Sequence, residues 1–483
     1  MGPPPREHDR LRRAFLLLVD GLRPDVAEAE LAKGNLPHLA ALTAEGVRGR
    51  GVTAFPSTTS VAYLPFLTGA LPGRCNIPSI RWMDRAAYGG RWWAERRSVR
   101  SYCGYQAGLL DGDIEGEVQT IFELVPESIA FFTMISRGLT PARDPSQGAR
   151  KFWGAVAHYA LWHQPGDDTV ARGLLRAAAE PWRFVFAQFP AVDGYTHQSH
   201  PSAPRVLQAL HKVDATVGQL VALLGARGQL DESMITLVSD HGASVVHTHL
   251  DLAPWFRRQG VRTLAHPVLW EADPRAAVMV AGNCSAGVYA RPGERRAVRY
   301  TLAQLHQPAL WDAPHDVIAA LVQEPGVAFI AADDGAGGLA LESAAGTAEV
   351  TRDGDRICYA PGTGDPLRLG EARQLDASGW LAAAAHDPFP DAPVQLLDQF
   401  RAARAADLVV IAEDGWDFRD RFEVPEHKAG HGSLVAAHML VPYWSNRAGP
   451  PLLRTPDVHA QLLAWLGVAS RGRHDSGAAL LAP

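Results

Sequence analysis

Five short motifs in this chain contain side chains that bind metal ions or attack an electrophile. They are Asp20-Gly21, Phe55-Pro56-Ser57-Thr58-Thr59-Ser60, the pair Asp193 and His197 four residues apart, Asp240-His241-Gly242 and Gly430-His431-Gly432. Carboxylate and imidazole groups are ligands that suit zinc, and no thiolate is needed beside them. A hydroxyl coordinated by a metal becomes a nucleophile. The set therefore predicts metal-assisted attack by a Ser or Thr hydroxyl.

Each motif taken alone has a simpler structural explanation. An Asp and a His at this spacing often form a pair on a helix surface, and Asp-His-Gly after an apolar run is a common turn. The Ser and Thr cluster is typical of a helix N-cap, where a hydroxyl accepts a backbone hydrogen bond. The five motifs in this order are much more specific than any one of them.

Three of the motifs follow apolar runs that have the pattern of buried strands. These runs are AFLLLV before Asp20, FVFAQF before Asp193 and MITLV before Asp240. The carboxyl ends of parallel strands meet at one edge of a sheet, so the three acids are expected there together. Helical spacing over 206–224, and again from Pro456 to Leu466, alternates with these strands. The prediction is an α/β fold with a mostly parallel central sheet flanked by helices.

The chain divides into three parts by composition. Residues 1–273 and 405–483 are predicted to form the first and last parts of a catalytic core, with further strands at 407–412 and 438–444. Residues 274–404, which are rich in Gly, Ala and Pro and contain a hairpin signal at Asp353-Gly354-Asp355, are predicted to be an inserted accessory or cap region. A loop-rich stretch at 72–110, with Arg81-Trp82 and Trp92-Trp93, is placed over the site.

Bulk composition restricts the kinds of partner. The chain has 483 residues, 47% of them hydrophobic, and a net charge of -6 without a basic block. Stable nucleic-acid binding is not expected, because a phosphate backbone needs clustered Lys and Arg. No stretch approaches the roughly 18 apolar residues of a membrane span. The run AFLLLV is too short for a signal peptide, so a cytoplasmic location is predicted. The oligomeric state is not set by the sequence.

The ordered set of motifs resembles the nucleotide pyrophosphatase/phosphodiesterase branch of the alkaline phosphatase superfamily. In that family a Thr nucleophile follows a Phe-Pro pair by three positions, in a segment that closes with Thr-Gly. Phe55-Pro56 and Thr68-Gly69 bracket the same length here, which selects Thr59 over Thr58. The resemblance extends from Asp20 to His431 and so covers most of the chain.

The resemblance implies two divalent metal ions, expected to be Zn²⁺. One is held by Asp193, His197 and His431, and the other by four groups, namely Asp20, Asp240, His241 and the Thr59 hydroxyl. It also implies a small-molecule phosphate ester as substrate. Two such ions roughly 3.5–4 Å apart clamp the attacking and leaving oxygens of an in-line displacement. The expected reaction is hydrolysis of a phosphodiester or phosphoanhydride through a phosphothreonine.

Rival interpretations remain open at this point. A phosphonate (C–P) hydrolase and a phosphomonoesterase use the same scaffold. A mutase-like relative would use a Ser, for which Ser57 and Ser60 are candidates. A catalytically silent, metal-containing protein that binds a phosphorylated ligand is the alternative outside enzymology. His427, His247 and His249 lie near the motifs and are candidates either to orient the ligands or to pack.

One position departs from the family pattern. The family usually has an Asn shortly after the nucleophile that donates to a phosphoryl oxygen, and Ile80 occupies that position here. Loss of such a donor costs on the order of 3 kcal/mol in an oxyanion site. Either Asn76 or Arg81 replaces the donor, or the substrate differs from the usual diesters. Trp82 is a candidate to stack on a base or aryl group, with core packing as its simpler role.

Overall fold

A computed structural model describes residues 11–89, 98–266, 271–419 and 426–477. Trp92-Trp93, predicted to lie over the site, are outside the described residues. Two large sheets form within these ranges, and they are called here the core sheet and the second sheet. The helices and smaller strands pack on them or connect them.

The core sheet has seven strands in the described part of the chain. Their spatial order is Leu452–Arg454, Val47–Val52, Leu440–Ser445, Ser233–Val238, Arg13–Val19, Phe184–Phe189 and Ser128–Phe131. The last four of these are parallel to one another. Leu440–Ser445 runs antiparallel to both of its neighbours. The three strands that precede Asp20, Asp193 and Asp240 are therefore adjacent and parallel.

The central strand Arg13–Val19 explains why the core sheet is buried on both sides. All seven of its residues are buried. Leu16 packs in a cluster with the helix Thr455–Leu466, whereas Leu17 packs in another cluster with the helix Pro204–Ala226. A strand with helices on both faces is apolar at nearly every position, and here a continuous apolar run follows the buried Arg13. Burial of each such side chain contributes roughly 1.5–3 kcal/mol.

The helices are mostly short and connect the strands. The α-helices among the described residues are Pro24–Ala32, Pro37–Leu42, Leu64–Thr68, Leu110–Asp113, Ile121–Leu124, Gln147–Ala160, Gln164–Ala178, Ala191–His197, Pro204–Ala226, Leu252–Arg258, Leu302–Leu305, Pro308–Trp311, Val317–Leu321, Ala377–Ala384, Ala392–Arg401, Ala436–Met439 and Thr455–Leu466. Gly104–Leu109 and Pro141–Arg143 are 3-10 helices. None of the described helices is long and apolar enough to cross a membrane.

The second sheet has nine strands among the described residues, and most neighbouring pairs are antiparallel. Their order is Thr263–Ala265, Ala276–Ala281, Ser285–Ala290, Leu408–Ala412, Val327–Asp333, Leu339–Ser343, Gly346–Asp353, Arg356–Pro361 and Arg373–Asp376. Three two-stranded pairs complete the strands, namely Arg81–Met83 with Val99–Ser101, Ser244–Val245 with Ala429–Gly430, and Thr248–His249 with Trp416–Asp417.

The predicted fold class is confirmed, since the core sheet is mixed but largely parallel and flanked by helices. The predicted helices are present at Pro204–Ala226 and Thr455–Leu466, and the hairpin at Asp353-Gly354-Asp355 joins two antiparallel strands. The predicted strand at 407–412 exists but belongs to the second sheet. The division at 273 and 404 stays a prediction.

Candidate active site at the edge of the core sheet

The carboxyl ends of three core strands deliver the predicted acids to one place. Asp20 directly follows the central strand, Asp193 lies on the short helix after Phe184–Phe189, and Asp240 follows Ser233–Val238. Gly21 has a φ of +69°, and a Cβ there would lie 2.7 Å from the Asp193 Cβ. Only Gly allows this approach of the first strand to Asp193.

The predicted histidines enter the same place from different elements. His197 ends the helix Ala191–His197, and His241 follows Asp240. His431 comes from a segment that forms a bridge with Asn283 beside the second sheet. Gly432 has a φ of +100°, and a Cβ there would meet the Ala281 carbonyl at 2.4 Å. The name ligand cluster is used below for the seven residues Asp20, Thr59, Asp193, His197, Asp240, His241 and His431.

Each of the three histidines has its Nδ1 within hydrogen-bond distance of a backbone carbonyl. His197 Nδ1 lies 2.7 Å from the Ala429 oxygen, His241 Nδ1 lies 3.0 Å from the Gly242 oxygen, and His431 Nδ1 lies 2.9 Å from the Ser57 oxygen. A carbonyl only accepts, so in each ring Nδ1–H donates and Nε2 is left with a lone pair. This tautomer is the one that binds a metal through Nε2.

The carboxylates face those Nε2 atoms at short distances. Asp193 Oδ2 lies 3.2 Å from His197 Nε2, Asp20 Oδ1 lies 3.4 Å from His241 Nε2, and Asp240 Oδ2 lies 3.3 Å from His241 Nε2. The ligand atoms of Asp193, His197 and His431 all lie within 4.8 Å of one another, as do those of Asp20, Asp193 and His241. Two overlapping groups of potential ligands result.

The first group matches the set that the family resemblance implied. The second differs from it, because Asp193 joins Asp20 and His241 where Asp240 was expected. Asp240 is still adjacent, since one of its oxygens accepts from the Gly21 amide at 3.3 Å and the other faces His241. Asp193 thus lies between the two groups, where its two oxygens can serve different ions.

Electrostatics explain why cations fit this cluster. Burial and the neighbouring carboxylates raise the pKa of Asp20 well above its ordinary value, and they raise that of Asp240 to about 8. Burial opposes ionisation of Asp193 as well, but His197 outweighs it and lowers the pKa of Asp193. Asp193 Oδ1 and Asp240 Oδ2 are buried without a hydrogen-bond partner. Unpartnered buried oxygens beside imidazole lone pairs fit divalent cations.

Thr59 is the residue of the hydroxyl motif whose side chain lies among the other six residues of the ligand cluster. Its Oγ1 lies 3.1 Å from His241 Nε2 and 3.4 Å from Asp20 Oδ1. Ser57, Thr58 and Ser60 are fully buried, and Ser57 donates to the Ser433 carbonyl. The helix after them is only Leu64–Thr68, so Thr59 lies in the preceding turn.

Comparison with known proteins identifies the family. The family model of type I phosphodiesterase / nucleotide pyrophosphatase matches residues 14–356. The chain belongs to this family. It is accordingly a metal-dependent phosphoric ester hydrolase of the alkaline phosphatase superfamily, whose members generally depend on two metal ions. A search of curated proteins found no match.

Solved structures share the fold of this chain. Phosphonoacetate hydrolase from Sinorhizobium meliloti 1021, in complex with phosphonoformate, is 13% identical with a TM-score of 0.57 over 95% of this chain and 96% of that one. Murine ectonucleotide pyrophosphatase/phosphodiesterase 5 is 12% identical with a TM-score of 0.56 over 96% of this chain and 98% of that one. At this identity the likeness shows the fold alone.

A cavity of about 550 Å³ opens beside the ligand cluster of this phosphodiesterase-family chain. Asp20, Thr59, Asp193 and His197 line one side of it. Several other lining residues come from the helix Gln147–Ala160 and the segment after it, and the name helical wall is used for Arg150, Trp153, Leu161 and His163. The cavity volume is that of a site for a small organic ligand.

Sequence reasoning did not find several residues that hold or surround the ligand cluster. Gln188 and the Tyr63 hydroxyl donate to Asp20 Oδ2 at 2.8 and 3.1 Å. His427, noted earlier as a candidate, stacks on His197 with ring centroids 4.0 Å apart. Gln188 occupies a polar position in the buried run FVFAQF, which is the one sequence signal that pointed to it.

The four predicted substrate contacts lie apart from this cavity. Asn76 donates to Glu115, and Arg81 donates to the Val280 carbonyl. Trp82 is fully buried and donates to the Tyr102 hydroxyl, while Ile80 packs against the core. None of the four is among the residues that line the cavity. Their role in substrate binding stays a prediction.

Proposed function

We propose that the protein hydrolyses phosphodiester or phosphoanhydride bonds, with Thr59 as the nucleophile and two zinc ions as cofactors. The observation that carries this proposal is the position of the Thr59 hydroxyl, 3.1 Å from His241 Nε2 and 3.4 Å from Asp20 Oδ1. A hydroxyl that shares its surroundings with potential metal ligands is the group that a cation activates.

Asp193, His197 and His431 would hold one ion, and Asp20, Asp240 and His241 would hold the other beside Thr59. Asp193 is close enough to contribute to both. When bound, two divalent ions supply stabilisation of the negative charge that develops at the phosphoryl group and lower the pKa of a neighbouring hydroxyl. The balance of imidazole and carboxylate ligands, with no cysteine in the cluster, favours zinc.

The residues of the chain then have separate roles. Thr59 Oγ1 attacks phosphorus, so that an O–P bond forms while the bond to the leaving group breaks. The proton that Thr59 loses balances the one that the leaving oxygen gains. Water then attacks the phosphorus of the resulting Thr59 phosphoryl ester, which still carries the part of the substrate that did not leave. The bond from phosphorus to Oγ1 breaks, a proton from water restores the hydroxyl, and the phosphoryl product is released. Gln188 and Tyr63 hold Asp20 in place by donating to its Oδ2, which leaves Oδ1 directed at Thr59 and His241.

Turnover of bis(4-nitrophenyl) phosphate by the zinc-loaded wild type, Thr59→Ala and Thr59→Ser proteins tests this proposal. Thr59→Ala is expected to lose activity by roughly 1,000-fold or more while binding zinc, because the nucleophile is gone. Thr59→Ser should retain a measurable part of the rate. Acid quenching of the wild type should leave a 4-nitrophenyl phosphoryl group on the peptide that contains Thr59. Full activity of Thr59→Ala would overturn the assignment, and no turnover by a fully zinc-loaded wild type would favour a silent binding protein.

A phosphonate hydrolase on the same scaffold is the second candidate. Arg150 is one of the residues that line the cavity beside the ligand cluster, and its positive charge favours a substrate with more negative charge than a simple diester. Phosphonoacetate hydrolase from Sinorhizobium meliloti 1021, which shares this fold, was crystallised with phosphonoformate and with phosphonoacetate. Release of inorganic phosphate from a β-carbonyl phosphonate, compared with release of nitrophenol from aryl diesters and monoesters, distinguishes the candidates.

A further inference from the structure

The helical wall contains a cation whose partners are unusual. Arg150 lies on the helix Gln147–Ala160 and lines the cavity together with Thr59. Its Nη1 lies 2.8 Å from the Met134 sulfur, and a thioether is only a weak acceptor. Among the described residues no carboxylate lies within ion-pair distance of this guanidinium.

Nearby charges do not replace such a partner. Burial lowers the pKa of Arg150, and Asp144, Tyr63 and Asp111 oppose this only from longer range. The carboxyl of Asp144 accepts from Ser146 through one oxygen, and among the described residues no hydrogen bond or ion pair joins it to Arg150. A largely buried guanidinium without a close anion is costly, so an anion supplied by a ligand is the compensation that the cavity permits.

A second cation faces the same cavity from the segment after His427. Lys428 lines the cavity, and its backbone amide donates to the His197 carbonyl at 2.8 Å. Its ammonium group forms no ion pair with the described residues. Glu426 is the acid closest to it in sequence, but its carboxylate is paired with His249 at 3.1 Å and with Arg419 at 3.1 Å.

We propose that Arg150 is a specificity residue that binds a second anionic group of the substrate, either a carboxylate or a second phosphoryl group, with Lys428 adding to the attraction. This inference rests on the proposed function, which places the reacting phosphoryl group at Thr59. The substrate is then a small phosphate or phosphonate ester, or a phosphonate, with an anion at each end.

The geometry supports one molecule that reaches both places. Arg150 and Thr59 line one cavity of about 550 Å³, a volume that suits a ligand of small-molecule size. The planar guanidinium matches carboxylate and phosphate with two parallel hydrogen bonds.

Matched ligands that differ in one charge test the inference. The zinc-loaded protein is titrated by calorimetry with 3-phosphonopropanoate and with 3-phosphonopropanamide, which have similar shapes but differ in the terminal anion. The wild type is expected to bind the carboxylate about 10- to 100-fold more tightly, as a charge-assisted hydrogen bond implies. Methylenediphosphonate and ethylphosphonate form the second pair, and whichever pair shows the larger preference identifies the chemistry of the second anion.

Arg150→Met should remove the preference in both pairs, and Arg150→Lys should restore part of it. Lys151→Met is the matched control, because Lys151 is the next residue of the same helix, is exposed and does not line the cavity. This control should keep the wild-type preference. Equal binding of both members of each pair by the wild type, or a preference that survives in Arg150→Met, would overturn the inference.

Calorimetry separates this inference from the proposed function. Binding preference does not require turnover, so a wild type that prefers the anionic ligands but hydrolyses nothing supports the subsite and contradicts the proposed reaction. Conversely, a wild type that cleaves aryl diesters but shows no preference keeps the proposed reaction and contradicts the subsite.

Discussion

The ligand cluster and the helical wall line the same cavity, but the surrounding structure supports their side chains in different ways. The ligand cluster lies at strand ends, and each of its histidines is oriented by a backbone carbonyl. The helical wall belongs to a helix whose outward aromatic residues stay exposed, with Phe152 60% and Tyr159 84% accessible. The sheet determines the positions of the ligand cluster, whereas far less packing supports the helical wall.

This difference indicates a division of roles. A site that must place charges within a few tenths of an ångström needs rigid support from the sheet and from hydrogen bonds. A surface that only selects among leaving groups can change without disturbing that geometry. We therefore expect substitutions in the ligand cluster to abolish metal binding and turnover, and substitutions in the helical wall to change substrate preference alone.

Asp193→Asn is expected to have the largest effect on the cluster side. Asp193 belongs to both groups of potential ligands, so the loss of its charge affects both ions. The drop in kcat/KM should be at least roughly 1,000-fold, beyond the 10- to 100-fold that outer-shell changes cost. Zinc content measured by plasma mass spectrometry should fall, and added zinc should no longer raise the Tm. A variant with wild-type zinc content and activity would show that the cluster is not the metal site.

Gln188→Leu should have an intermediate effect. The Gln188 amide donates to Asp20 Oδ2 at 2.8 Å, and its removal leaves that oxygen to Tyr63 alone. Zinc affinity, measured by competition with a chromophoric chelator, should fall about 10- to 100-fold. Gln198→Leu is the matched control, because Gln198 lines the cavity but contacts His163 rather than a carboxylate of the cluster. Equal zinc affinity in the two variants would contradict the positioning role of Gln188.

The two sides also differ in how far they could be predicted from the sequence. Asp20, Asp193 and Asp240 each lie within four residues of the end of an apolar run, and the rules of parallel sheets bring such strand ends together. That inference needs only local sequence and one topological rule. The order of the motifs then carried the family resemblance that named Thr59 and the histidines.

The helical wall has no comparable signal. Arg150 and Trp153 occupy an ordinary amphipathic helix, and only the tertiary structure shows that they face the cavity. For Trp82 the sequence left open whether the ring stacks on a substrate group or packs in the core, and only the structure shows that it is fully buried. Likewise, the run at 407–412 indicated a strand but not the sheet to which it belongs. Side-chain direction and sheet membership depend on long-range packing, which a local pattern does not encode.

Acid should destabilise the part of the protein that carries the ligand cluster, because the buried His459 packs beside the helix that follows Thr59. His459 is 2% exposed, and its Nδ1 lies 3.3 Å from the Phe66 carbonyl in the helix that follows Thr59. Burial lowers its pKa from 6.5 to about 4. The unfolded chain therefore binds a proton between these values while the folded chain does not. This contribution to stability is complete above pH 6.5 and is lost as the pH falls to 4.

Urea unfolding of the wild type at several pH values tests this linkage. One such group changes the free energy of unfolding by about 1.4 kcal/mol per pH unit in that interval. Position 459 has no titratable group in His459→Gln. The free energy of unfolding of this variant should therefore change less steeply with pH between 6.5 and 4, by about that slope. His315→Gln is a control at an exposed histidine that contacts Gln259, and there the wild-type dependence should remain. An unchanged slope in His459→Gln would show that His459 does not stay neutral in the folded protein.

Trp153→Ala should have the smallest effect and bears most directly on the helical wall. Trp153 lines the cavity and contacts Phe152 and Trp162 edge-on, with ring centroids 4.9 and 6.4 Å away. Loss of about 1 kcal/mol of ligand contact would raise the KM for an aryl diester roughly fivefold. The kcat and the zinc content should not change, because contacts made equally in the ground and transition states affect KM alone. Trp182→Ala, distant from the cavity, is the control for loss of an indole. A tenfold fall in kcat at full zinc content would mean that the helical wall also acts on the transition state, and the division of roles between the two sides would then fail.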